Sequence, residues 1–98
     1  MTAKAHGEWP FDQVPNAACI ASEGVIQGKA VLSVTHYADD HSWAFMDAIP
    51  ADPTDAMIVA MSAVLRLHPD LVEVATLAPG CSASRAGQAG PWSIRSDA

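Results

Sequence analysis

Between Ala30 and Asp47 the apolar positions alternate with polar ones on both sides of a short polar break. Val31, Leu32, Val34, Thr35 and Tyr37 are strand formers, and Trp43 and Phe45 occupy alternate positions of Ser42 to Asp47. If residues 38 to 41 form a four-residue loop, Tyr37 faces Ser42, His36 faces Trp43, Val34 faces Phe45 and Leu32 faces Asp47. One face of the predicted hairpin then gathers Leu32, Val34, His36, Trp43 and Phe45. The other holds Val31, Ser33, Thr35, Tyr37, Ser42, Ala44 and Met46, a smaller and more polar set, as expected of a sheet covered on one side only.

A different period follows. Asp52-Pro53-Thr54-Asp55 is a helix start signal, and Met57, Ile58, Met61, Val64, Leu65 and His68 then fall on one helical face. Met46, Met57 and Met61 are accordingly expected in the core. Pro69 ends the helix, because its ring removes a donor and biases His68 away from helical space. Asp70 to Ala75 reads as a short second helix burying Leu71 and Val74, with a strand as the alternative.

Pro79-Gly80 marks a turn, Cys81 to Arg85 a last strand, and Ala86 to Pro91 a loop. Upstream, Ala17 to Ser22 is a short small-residue run between turn signals, and residues 1 to 16 form an arm with Trp9 and Phe11 docked on the body. The predicted class is α+β: a small antiparallel sheet of three to five strands with one main helix packed on one face. The 98 residues make a single domain, with a core over 17 to 85 and a C-terminal loop and tail over 86 to 98.

Composition narrows the partners. Five Lys and Arg stand against eleven Asp and Glu, for a net charge of −6 and a sequence pI near 4.8. The cations Lys4, Lys29, Arg66, Arg85 and Arg95 are scattered, so no basic stripe exists for nucleic acid or an anionic membrane. The apolar stretch Ala44 to Ala63 is broken by Asp47, Pro50, Asp52, Pro53 and Asp55, which excludes a membrane span there. Met1 to Glu8 lacks the apolar centre of a secretory signal, so a cytoplasmic location is expected. Cys19 and Cys81 are expected as reduced thiols, one disulfide being the alternative.

Candidate chemistry concentrates at the hairpin. His36, Asp39, Asp40 and His41 offer imidazole and carboxylate groups suited to a transition metal, but no specific ligand spacing. The competing reading is a turn built by Asp39 and Asp40, with His36 packed edge-on against Trp43. His36 with Asp40 also resembles an acid–base pair, but no nucleophile in a recognisable context accompanies it.

Ser82 and Ser84 lack the Gly-x-Ser-x-Gly elbow, and Cys81 reads as a packed strand residue. Gly87-Gln88-Ala89-Gly90 leads to Pro91 and lacks a phosphate-binding fingerprint. His68 reads as a helix-end residue and His6 as part of the arm. Arg85 is expected to pair with Asp47 or the Asp39-Asp40 tip, an anionic ligand being its alternative partner. No catalytic residue, metal ligand set or cofactor is assigned. The ligand or partner candidates are His36, Asp39, Asp40, His41, Trp43 and Arg85.

The strand ending in His36, the acidic turn, Trp43-Ala44-Phe45, His68-Pro69-Asp70-Leu71, and Pro79-Gly80 followed by Ala83 and Arg85 resemble a group of short uncharacterised bacterial proteins. The resemblance spans most of residues 17 to 92 and departs at Cys81, where the group carries a larger aromatic. It implies a stand-alone bacterial cytoplasmic domain and no particular activity. Two functions follow as expectations. The first is a small non-enzymatic binding or protein-interaction domain, of the kind used in toxin neutralisation or regulation, self-associating through Val31, Ser33, Thr35, Ala44 and Met46. The second is an enzyme or metal-binding domain built on His36, Asp39, Asp40 and His41.

Overall fold

The computed structural model describes residues 9–49 and 53–96. The hairpin forms in the register that a four-residue loop dictates. Strand β2 (Ser33–His36) pairs antiparallel with β3 (Trp43–Met46), Val34 opposite Phe45 and His36 opposite Trp43. Strand β1 (Ala18–Ser22) precedes it in the chain and lies parallel to β3, Ile20 against Ala44. The chain between them turns through a short helix α1 (Glu23–Ile26). Its Gly24 approaches Asp47 so closely that a Cβ there would collide with the carboxylate. That carboxylate accepts the Ser22 hydroxyl at 2.8 Å, fixing the end of β3 beside the end of β1.

The long predicted helix is not there. After a 3₁₀ turn at Pro53–Asp55, the chain forms strand β4 (Ala56–Ala60), and only then helix α2 (Met61–Leu67). A short apolar run that includes Ile58 and Val59 satisfies a strand as well as a helix, so local pattern is ambiguous there. Tertiary pairing decides it: β4 satisfies the edge of β1 over five residue pairs, Ala18 with Ala60 through Ser22 with Ala56. Met61, Val64, Leu65 and His68 are buried as the helical face predicts, but Met57 and Ile58 are 44% and 78% exposed. Met57 is therefore not core filler.

Helix α2 lacks a side-chain cap, and the arm supplies one from its backbone: the N–H groups of Met61 and Ser62 donate to the carbonyls of Ala17 and Pro15 at 2.9 and 2.8 Å. A 3₁₀ helix, Pro69–Val74, then buries Leu71 and Val74. The Pro79-Gly80 turn closes with Cys81 N–H donating to Ala78 O at 3.1 Å, and Gly80 takes φ +85°, which a side chain rarely tolerates. Strand β5 (Cys81–Ser84) pairs with β2, and β6 (Ser93–Ser96) pairs with β5.

The result is one six-stranded mixed sheet in the order β4-β1-β3-β2-β5-β6, with short helices. This corrects the expected small antiparallel sheet under one main helix. Cys19, Ala21, Val34, Trp43, Phe45 and Ala83 line one sheet face and cluster with Phe11, Val25, Val31, Met61, Val64, Leu71 and Val74. No described helix is long and apolar enough to cross a membrane.

Candidate functional site

His36 ends β2 with its ring on the covered face, and the register sets Trp43 beside it. The rings stack at 3.9 Å between centroids and 14° between planes, face to face and not edge-on. His36 is 2% exposed. The segment after the 3₁₀ helix clamps it twice: its carbonyl accepts Gly80 N–H at 2.7 Å, and its Nδ1 lies 2.6 Å from the Leu77 carbonyl. A carbonyl only accepts, so Nδ1 carries a proton, and Nε2 is the nitrogen left for a second partner.

Nε2 faces Asp12, which the sequence reading does not single out. Asp12 Oδ2 is 3.0 Å from His36 Nε2 and 3.5 Å from His41 Nδ1, while its Oδ1 accepts the Trp43 indole N–H at 2.9 Å. The arm carries Asp12 there because Phe11 is buried edge-to-face on Trp43, with centroids 4.9 Å apart. The signal lay in that neighbour: a docking aromatic in the arm delivers the adjacent carboxylate to the body.

The loop sorts the remaining candidates. His41 N–H donates to Tyr37 O at 3.0 Å, and its φ of +59° places the residue in the left-handed region, with its ring 5.7 Å from that of His36. Gln13 donates a side-chain hydrogen bond to the His41 carbonyl at 3.0 Å. Asp40 accepts the Ser42 N–H and hydroxyl at 3.0 and 2.7 Å. Those two bonds hold its carboxyl below the usual aspartate range. Asp39 is exposed at the tip. Among the described residues, the group whose nitrogen and oxygen ligand atoms lie within 4.8 Å of one another is Asp12, His36 and His41, not the Asp39-Asp40 pair.

Arg85 lies elsewhere. It is 4% exposed, donates from Nε to Val31 O at 2.9 Å and from Nη1 to Gln88 O at 2.8 Å, and meets Asp70 through Nη2 at 2.8 Å. Trp92 covers its guanidinium at 4.1 Å. Neither Asp47 nor the hairpin tip is its partner. Cys19 and Cys81 are free thiols on strands separated by β3 and β2, about 14 Å by strand spacing, too far for a disulfide. Burial pushes the Cys19 thiol up to about 11.

The second sheet face is not the surface the pattern suggests. Val31 is in the core at 0% exposure, and Ala44 and Met46 are 2% and 7% exposed. Ser33, Thr35, Ser82, Ser84, Ile49 and Arg95 line a cavity of about 220 Å³ on it. Comparison with family models, curated proteins and solved structures finds no match for the chain.

Proposed function

We propose that the protein is a small non-enzymatic interaction domain that binds by strand addition along the edge of β4 left unpaired among the described residues, its partner being a second copy of the chain. The observation that carries this reading is the chemistry of that edge. β4 is an outer strand of the sheet, reads Ala-Met-Ile-Val-Ala without charge or proline, and leaves Ile58 78% exposed. Outer strands that must stay unpaired are guarded by charges, prolines or bulges, and β6 at the opposite edge does carry Arg95.

A five-residue strand pairing antiparallel with its own copy about a two-fold axis at Ile58 sets Ile58 against Ile58 and Met57 against Val59, with no like charges opposed. The buried polar groups support a binding role over a catalytic one. His36 is stacked on Trp43, Arg85 directs its nitrogens to internal partners, and the Cys19 thiol stays protonated. Light scattering from micromolar to millimolar protein tests the proposal. Dimers are expected for the native chain and monomers for Ile58→Lys with an unchanged circular dichroism spectrum. A native chain that is monomeric throughout, or a dimer indifferent to Ile58→Lys, refutes it.

A further inference from the structure

We infer that Asp12, His36 and His41 form a binding site for one divalent transition-metal ion of the zinc class. The argument begins with hydrogen-bond accounting. With Nδ1 of His36 donating to Leu77, its Nε2 lone pair points at Asp12 Oδ2, 3.0 Å away, and the second imidazole approaches the same oxygen at 3.5 Å. Lone pairs do not attract one another, so this convergence asks for a positive centre among the three atoms. Protons satisfy it with one imidazolium at His36 and an Nδ1–H tautomer of His41, both sharing a single carboxylate oxygen. One metal ion satisfies all three ligands at once.

The spacing fits. Ligands about 2.1 Å from an ion lie about 3.0 Å apart in an octahedral shell and about 3.4 Å apart in a tetrahedral one, against 3.0 and 3.5 Å for the two His–Asp pairs. Every ligand atom lies within 4.8 Å of the others. His41 is the outermost ligand, on an exposed tip, and is free to close the remaining gap by a small movement. Two imidazoles and a carboxylate suit zinc, cobalt or nickel, whereas magnesium and calcium prefer oxygen throughout.

The surroundings are those of ligands held in place. The Leu77 carbonyl fixes the His36 tautomer, and the Trp43 indole N–H holds Asp12 Oδ1 so that Oδ2 turns inward. Access is also provided: the His36 side chain is 3% exposed and forms the floor, while Asp12 at 38% and His41 at 53% form an open mouth where water completes the shell. A net charge of −6 favours cations near the surface.

The test uses the full chain without a histidine tag, stripped with a chelator and titrated with Co²⁺ and Zn²⁺. One equivalent is expected to bind, with visible Co²⁺ bands displaced by Zn²⁺. Asp12→Asn and His41→Gln, both at exposed positions, are expected to abolish it. Trp43→Phe, which keeps a ring but removes the donor to Asp12, is expected to weaken binding about 10- to 100-fold. Asp39→Asn is expected to bind as the native chain does. No binding at millimolar Zn²⁺ by the folded chain, or binding unaltered in both Asp12→Asn and His41→Gln, overturns the inference. Should Trp43→Phe fail to fold, the two exposed variants decide the matter alone.

Discussion

Replacing Arg85 by methionine removes a buried cation while retaining most of its volume. Two carbonyls lose their donor, those of Val31 and Gln88 at 2.9 and 2.8 Å, and the Asp70 carboxylate loses its ion-pair partner at 2.8 Å. Breaking a buried ion pair by removing one partner costs roughly 3–5 kcal/mol, since the other charge is left uncompensated. Asp70 keeps 26% side-chain exposure and rehydrates in part, which places the cost near the lower end, about 3 kcal/mol. That is a large share of the roughly 5–15 kcal/mol that stabilises a domain. Asp70→Leu in the same background removes the orphaned charge and is expected to recover about 1–2 kcal/mol. Urea denaturation of the native chain, both single variants and the double variant measures the cycle, with slopes unchanged if the denatured state is unaffected. A loss below about 1 kcal/mol for Arg85→Met, or a coupling energy near zero, refutes the structural assignment. An arginine kept for an anionic ligand is expected to behave in that second way, its removal costing binding and little stability.

The remaining perturbations probe the arm, the thiol and the loop. Phe11→Ala is expected to destabilise the domain by about 3 kcal/mol in urea denaturation, because it empties a buried edge-to-face contact with Trp43; a change under about 1 kcal/mol would show the arm to be undocked in solution. Cys19 has a folded-state value of about 11 against an ordinary 9.0, so its contribution is whole below pH 9 and is lost as pH rises towards about 11. The difference in stability between native protein and Cys19→Ala should therefore shift by up to about 2.7 kcal/mol across that window, and a flat difference would contradict the burial. For Asp40 the sign is opposite: its two bonds from Ser42 depress the carboxyl, so its NMR titration midpoint should lie below ordinary aspartate and rise in Ser42→Ala.

Legibility in the sequence followed the range of the interactions. The β2–β3 register was readable because four residues between two alternating segments leave few ways to close a hairpin, and each pair across it is set by the pleat. Pro69 marked the helix end, and the buried face Met61, Val64, Leu65 and His68 was visible in its spacing. The segment Ala56–Ala60 was not readable, because five apolar residues fit either period and only β1, some forty residues away, settles the choice by pairing with it. The same limit applies to the site. His36 and His41 stand out in the local pattern, and their setting beside Trp43 follows from the hairpin. Asp12 joins them only because Phe11 packs on Trp43 across 32 positions of chain, and no periodicity encodes that contact. The sequence by itself determined the local elements whose hydrogen bonds close within a few residues. Tertiary structure decided the mixed sheet, the outer position of β4 and the third member of the His–Asp cluster, because each depends on backbone or side-chain partners that local propensity does not specify.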